Sequence, residues 1–111
     1  MKRSIELLPQ LSFCILLALS LRPRHGYEII QQVEQDSLGR VRVGAGGLYV
    51  TIQKLIDQGL IEETQIDGNR RRRYYQLTDE GKSRLHAELA YYTNVSQLTR
   101  LRLSLENSSS L

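Results

Sequence analysis

A turn signal stands between two short extended patterns in a chain whose other patterns are helical. The turn is Asp67-Gly68-Asn69, and the flanking runs are residues 60–66 and 72–77. Such a pair of runs around an Asp-Gly turn is typical of a β-hairpin. The sequence therefore predicts a mainly α-helical chain with one small hairpin.

Three helical patterns precede the hairpin, at about residues 8–19, 25–36 and 46–58. Arg22-Pro23 ends the first, and Gly59 stands where a left-handed residue closes the third. Three helices and a hairpin are the element order of a winged helix-turn-helix, with the third helix as the recognition helix and the hairpin as the wing. The predicted apolar faces are Leu8, Leu11, Ile15, Leu16 and Leu19, then Tyr27, Ile29, Ile30 and Val33, and finally Leu48, Ile52, Leu55 and Ile56.

The first helical pattern has a second interpretation. Lys2 and Arg3 precede an apolar run at residues 11–21, as in a secretory signal peptide. The run is too short to span a bilayer, which requires about 20 apolar residues. Pro9 suits the first turn of a helix. We therefore expect a buried first helix and no membrane partner.

Composition sets further limits. The 111 residues have room for one domain. The one cysteine, Cys14, excludes an internal disulfide framework and suits a reducing compartment such as the cytoplasm. With His25 and His86 it does not make a zinc site, so we predict no metal and no cofactor. Arginine supplies 12 of the 15 basic residues, and residues 70–73 are all arginine, which indicates either phosphate recognition or a solvated charged face.

The last pattern predicts a long helix. Thr78 is a plausible N-cap, and Asp79 and Glu80 suit the positive end of the helix dipole. About 28 residues would reach roughly 42 Å, farther than the small core extends. The apolar stripe therefore needs either the same helix of a second chain or its own domain, and we predict a homodimer. The stripe is Leu85, Leu89, Tyr92, Val95, Leu98, Leu101 and Leu105. We expect a DNA-binding domain at residues 1–78 and a dimerisation helix at 79–111 that ends in a frayed tail.

The motifs, in this order, resemble those of PadR-type transcriptional regulators over about residues 7–85. The short C-terminal helix is similar to that of the compact branch of the family. The matching residues are His25-Gly26-Tyr27-Glu28-Ile29, Gly47-Leu48-Tyr49, Leu55, Gly59-Leu60-Ile61 and Arg73-Tyr74-Tyr75-Gln76-Leu77-Thr78-Asp79-Glu80-Gly81. The resemblance implies a cytosolic homodimer that binds a palindromic operator on double-stranded DNA. It also implies a repressor that a small molecule releases.

The candidate DNA-binding residues lie on three elements. On the third helix, Gln53 can pair with adenine and Val50 can touch a thymine methyl group, and the neighbouring side chains reach phosphates. The tip of the hairpin is placed to enter a minor groove. Each of these residues has an ordinary surface or packing role as its alternative, including a wing salt-bridged to Glu62 and Glu63. The candidates are Tyr27, Tyr49, Val50, Thr51, Gln53, Lys54, Asn69, Arg70, Arg71, Arg72 and Arg73.

The sequence also bears on two other classes of function. The residues with catalytic potential fall on separate elements, so we predict that the chain is not an enzyme. A winged-helix module for protein–protein contact without an operator is the alternative to a DNA-binding regulator. Phe13, Cys14, Tyr91 and Tyr92 line either an effector pocket or the core of the dimer. Mid-helix burial predicts an inert Cys14, and His25 is expected to be a cap or a surface residue.

Overall fold

The computed structural model describes residues 6–66 and 72–109, with side chains up to residue 106. Within these ranges it confirms the predicted mainly α-helical fold with a small β wing and a long C-terminal helix. The elements are α1 Gln10–Leu19, β1 Arg24–His25, α2 Gly26–Asp36, α3 Ala45–Asp57, β2 Ile61–Thr64, β3 Tyr74–Leu77 and α4 Asp79–Ser109.

The sheet contains one strand more than the predicted hairpin. Its order is β1-β3-β2 and both pairings are antiparallel, with Arg24 opposite Tyr75 and Thr64 opposite Tyr74. A two-residue strand such as β1 is too short to show an alternating pattern. The two wing strands are also shorter than predicted. Residues 67–71 lie outside the described residues. The predicted turn falls in this segment, as do Asn69, Arg70 and Arg71, so these assignments stay predictions.

The core forms where the three short helices meet the sheet. The predicted first helix is buried, and α3 turns the predicted side inward. Periodicity was wrong for Tyr27, which is 66% exposed, because α2 packs through Gly26, Ile29 and Val33 instead. The buried apolar residues are Leu8, Cys14, Ile15, Leu16, Ala18, Leu19, Ile29, Val33, Leu48, Ile52, Leu55, Leu60, Ile61, Tyr74 and Tyr75.

Two predicted helix boundaries are confirmed by their hydrogen bonds. Gly59 has a φ of 77° and ends α3, with the Leu60 N–H donating to the Leu55 carbonyl at 3.0 Å. Thr78 precedes α4, and its hydroxyl accepts from the Gly81 N–H at 3.0 Å. The same hydroxyl donates to the Gly59 carbonyl at 2.6 Å, so one side chain joins the end of α3 to the start of α4.

The N-terminal segment is bound to α4 by a buried carboxylate. Glu88 is 3% exposed, and both of its oxygens lie 3.3 Å from the Leu8 N–H. Arg84 donates to Glu88 at 3.2 Å and to the Glu6 carbonyl at 2.9 Å. Beyond this anchor, α4 continues away from the core, and the molecule is 64 Å long. Helix α4 continues through Ser109, and the frayed tail expected from Ser108 stays a prediction.

Candidate nucleic-acid interface

Helix α3 presents one face to the core and the opposite face to solvent. Leu48, Ile52 and Leu55 are buried. On the other side, Tyr49 is 47% and Val50 is 59% exposed, and Gln53 and Lys54 are exposed as well. These four side chains therefore form a mixed polar and apolar surface on the predicted recognition helix. Thr51 is half-buried, and its hydroxyl donates to the Gly47 carbonyl at 3.0 Å.

The start of α3 is open. Gly44 is its N-cap and offers no side-chain hydrogen bond, and the first turn contains no acidic residue. The Leu48 N–H donates to the Gly44 carbonyl at 2.9 Å. The N–H groups of residues 45–47 precede this bond and have no acceptor within the helix. The positive end of the helix dipole thus stands beside the exposed face of α3.

Gln53 is already held by a neighbour on its own helix. Its side-chain amide donates to the Asp57 carboxylate at 3.0 Å, one turn along α3. A bidentate pairing with adenine uses both the amide nitrogen and the amide oxygen. The amide nitrogen has two hydrogens, so Gln53 can keep its bond to Asp57 while the second hydrogen and the amide oxygen pair with a base.

The start of α2 is capped through His25. The imidazole Nδ1 accepts from the Glu28 N–H at 3.4 Å, and the His25 N–H donates to the Glu28 carboxylate at 3.2 Å. Burial alone raises the pKa of Glu28, but the bonds from His25 and Arg22 outweigh it and hold the pKa below its ordinary value. This confirms His25 as a cap. Tyr27 lies in the same turn. Its side chain is exposed and does not belong to the buried face of α2.

The base of the wing is an ion-paired surface. Arg73 lies 3.8 Å from the Glu63 carboxylate across the hairpin, and Gln76 donates to Glu62 at 2.8 Å. This is the salt-bridged alternative considered for the arginine run. Arg72 and Arg73 precede β3, so the strand begins two residues later than the predicted run of 72–77. Both are nevertheless exposed on the hairpin that carries the predicted wing contacts.

The predicted dimerisation stripe lies mainly on the surface. Leu85 and Val95 are half-buried. The other members are exposed large hydrophobic side chains, namely Leu89, Tyr92, Leu98, Leu101 and Leu105. A soluble monomer does not ordinarily expose so continuous an apolar row.

A cavity of about 420 Å³ opens between α1, the loop after α2, and α4. Phe13, Leu17 and Tyr92 contribute apolar walls, and Asp36 and Arg40 contribute charge. The Phe13 and Tyr92 rings are 5.2 Å apart. Cys14 also lines it, and burial, with a smaller contribution from Asp36, raises the pKa of the thiol. A raised pKa lowers the thiolate fraction, in agreement with the predicted inertness of Cys14.

Sequence reasoning missed three residues that position these surfaces. Arg24 is buried and donates to the Ala18 carbonyl at 2.7 Å, which ties the end of α1 to the sheet. Glu88 anchors α4, as described above. Gly26 lies against Tyr49. A charged residue between Ala87 and Leu89 is a weak signal for Glu88, whereas nothing in the local sequence marks Arg24 as buried. The Gly26 contact joins positions too far apart for any local pattern.

These elements define a winged helix-turn-helix protein, with an exposed third helix beside an antiparallel wing. Residues 15–87 match the PadR-like family of transcriptional regulators. The match covers more than half of the chain, which therefore belongs to this family of DNA-binding regulators.

Solved structures share the fold. A PadR family transcription regulator from Clostridium difficile R20291 has a TM-score of 0.73 at 22% identity, over 86% of this chain and 99% of that chain. H. salinarum RosR has a TM-score of 0.68 at 24% identity, over 94% and 96%. Bacillus subtilis PadR in complex with operator DNA has a TM-score of 0.64 at 29% identity, over 73% and 47%. No curated protein matches the chain.

In the part of the chain that the structure describes, no helix is long and apolar enough to cross a membrane. No group of three or more His, Cys, Asp or Glu residues among those described is arranged to hold a metal ion.

Proposed function

We propose that this chain is a sequence-specific repressor that binds a palindromic operator as a homodimer. The exposed face of α3 is the observation that carries the proposal. Tyr49, Val50, Gln53 and Lys54 stand opposite the buried face, next to a helix start that has no acidic side chain. A recognition helix of this class enters the major groove with its N-terminal residues towards the base edges.

The residues of α3 divide by chemistry. Val50 is apolar and exposed, and suits a thymine methyl group. Gln53 suits adenine through its second amide hydrogen and its amide oxygen. Tyr49 and Lys54 offer a hydroxyl and an ammonium group to phosphates, which orient the protein without specifying sequence. Thr51 can do the same once its hydroxyl leaves the Gly47 carbonyl. Tyr27 adds an exposed hydroxyl from the first turn of α2.

The wing is proposed to bind the adjacent DNA backbone. Arg72 and Arg73 are exposed at the base of the hairpin. The pair between Arg73 and Glu63 is solvent-exposed, so it contributes at most about 1 kcal/mol and can be exchanged for a phosphate. Asn69, Arg70 and Arg71, which precede these residues, are proposed for the wing tip.

We assign dimerisation to residues 79–111 and DNA binding to residues 1–78. The 31 residues of α4 extend roughly 46 Å. A second copy of α4 packed along Leu89, Leu98 and Leu101 would remove the exposed apolar row from water. A symmetric pair places two recognition helices on half-sites about 34 Å apart, one turn of the DNA.

A small-molecule effector is assigned to the cavity between α1 and α4. Its apolar walls and its Asp36 and Arg40 rim suit a small apolar molecule with a polar group. Leu17→Trp would narrow the cavity without altering α3 or the wing. An effector that still releases DNA from this variant would show that the cavity is not its site.

Binding to the DNA upstream of the chain's own gene, measured against salt concentration, tests the proposal. Wild-type chain is compared with Arg72→Ala/Arg73→Ala and with Arg100→Ala/Arg102→Ala, which removes the same charge from the exposed surface of α4. We expect nanomolar affinity that falls steeply with salt, and a slope shallower by about two in the wing variant alone. A transcription assay with the same DNA tests repression.

Two results would contradict the proposal. Affinity no better than about 10⁻⁶ M for every DNA tested is the non-specific level, and would favour the protein–protein module instead. Equal slopes in the two arginine variants would remove the wing from the interface. Gln53→Ala adds a test of base reading, because it should weaken the operator more than a scrambled sequence.

A further inference from the structure

Gly26 begins α2 at a position where the backbone does not require glycine. Among the described residues, positive φ angles occur at Leu38, Gly39 and Gly59. Gly26 has none, and a glycine in an ordinary helical conformation is a conformational cost. The reason for glycine at this position must therefore be sought in the space around it.

That space is taken by the side chain of Tyr49. A Cβ atom built on Gly26 would overlap the Tyr49 hydroxyl oxygen and lie 2.9 Å from Cζ of the same ring. Both distances are closer than real Cβ atoms approach their neighbours. Leu48 Cδ2, at 3.4 Å, is the next atom and leaves room for a methyl group. Alanine at Gly26 therefore requires the end of the Tyr49 side chain to move, and no other neighbour has to.

Tyr49 also lies close to the wing. Burial raises the pKa of the Tyr75 phenol, and the nearby Tyr49 adds to the rise, whereas a hydrogen bond from Arg73 opposes it. Tyr75 is in β3 and buried. The ring of Tyr49 thus stands between α2 and α3, with about half of its surface exposed.

We propose that Gly26 is a positioning residue for DNA binding, which acts by leaving the space that the Tyr49 hydroxyl occupies. Tyr49 is held against the first turn of α2, and its orientation on the exposed face of α3 is fixed by that contact. The inference rests on the proposed contact of Tyr49 with DNA. An added methyl group at Gly26 would force the phenol outward or separate α3 from α2.

The test is a cycle of Gly26→Ala in three backgrounds, namely wild type, Tyr49→Phe and Tyr49→Ala. Thermal unfolding and operator binding are measured for all six chains. Gly46→Ala is the control for stability, because a Cβ there meets nothing within 4 Å. We expect Gly46→Ala to raise Tm by about 3 °C, and Gly26→Ala to raise it less or to lower it, because the end of the Tyr49 side chain must move. In the Tyr49→Ala background, Gly26→Ala should raise Tm as the control does, and Tyr49→Phe should lie between, since Cζ remains close.

Operator affinity supplies the readout that a purely structural role would not change. We expect Gly26→Ala to weaken binding roughly three- to tenfold in the wild-type background, the worth of one hydrogen bond. It should weaken binding no further once Tyr49 is alanine. Equal losses of affinity in both backgrounds, or a change in Tm that is the same in the wild-type and Tyr49→Ala backgrounds, would overturn the inference.

The cycle also separates this inference from the proposed function. A wild-type chain that binds no DNA would refute the proposed function and the role of Gly26 in it, although the Tm values would still report the Gly26–Tyr49 contact. A chain that binds DNA but shows no coupling in Tm or affinity would refute only the positioning role.

Discussion

Gly46→Ala should make the protein more stable and a weaker DNA binder at the same time. Gly46 is the second residue of α3, has no positive φ, and would carry a Cβ with no neighbour within 4 Å. Alanine is favoured over glycine in a helix by about 0.5–1 kcal/mol, and the gain at the second position is towards the lower value. We expect a rise in Tm of about 2–4 °C.

The effect on DNA binding has the opposite sign. A helical Cβ points towards the N-terminus, and the methyl group of alanine would project to the side where the first N–H groups of α3 are exposed. A phosphate held by one of these groups makes a charge-assisted hydrogen bond worth about 1.5–3 kcal/mol. Its loss corresponds to roughly a 10- to 100-fold weaker complex.

Denaturant unfolding and fluorescence anisotropy with labelled operator DNA measure the two effects. Gly44→Ala is the matched control for stability, because it adds the same methyl group at the N-cap of α3. Alanine is less favourable than glycine at an N-cap, so this variant should be less stable than the wild type. If Gly46→Ala stabilises the chain and leaves DNA affinity unchanged, the first turn of α3 does not lie close to a DNA phosphate. Lower stability would refute the open surroundings of Gly46.

Four further predictions concern other elements. Leu38 is 86% exposed with a φ of 56°, so Leu38→Gly should raise stability by about 0.5 kcal/mol in denaturant unfolding. The lowered pKa of Glu28 means that its stabilising bonds are present above the ordinary value of 4.5 and lost as pH falls through the lower folded pKa. Glu28→Gln should therefore lower Tm at neutral pH and not in strong acid. Leu101→Asp should weaken self-association at least tenfold in sedimentation equilibrium. Glu63→Gln should release Arg73 and strengthen DNA binding about threefold, with little change in Tm.

Each of these has a result that would contradict it, which for Glu63→Gln is unchanged or weaker DNA binding. A Leu38→Gly chain of lower stability would show that the leucine side chain has a packing role. A Glu28→Gln effect that persists undiminished into strong acid would assign it to something other than charge. Gln97→Asp is the control for Leu101→Asp, since it places the same charge on an exposed polar position of α4. If both variants weaken self-association equally, Leu101 has no specific packing role in the dimer.

The features that the sequence predicted well have local causes. Gly59 ends α3 and Thr78 precedes α4, and both boundaries are made by hydrogen bonds to residues a few positions away. Helix α3 buries the face that its apolar spacing predicts. The exposed face of α3 followed directly from that spacing. Helical periodicity failed at Tyr27 because three residues at regular intervals do not show which of two adjacent faces meets the core.

The features that the sequence did not predict depend on distant contacts. Glu88 meets Leu8 across 80 residues, and β1 becomes a strand only because β3 passes beside it. Gly26 and Tyr49 are 23 positions apart, and nothing in either local sequence links them. The arginine run was predicted either to bind phosphate or to form a solvated charged face. Which arginine pairs with Glu63 depends on the hairpin register, which places Glu63 opposite Tyr75.

The number of arginines overstates the positive charge that DNA can meet. Arg24 is buried and donates to the Ala18 carbonyl, and Arg84 donates to the buried Glu88. Neither arginine can leave its partner without a large loss of stability. Arg42 and Arg73 are different, because their pairs with Glu34 and Glu63 are largely exposed and cost little to break. A phosphate can replace those carboxylates when DNA arrives. The salt dependence of binding should therefore follow the exposed arginines of the wing and the α2–α3 loop, and not the total of 12.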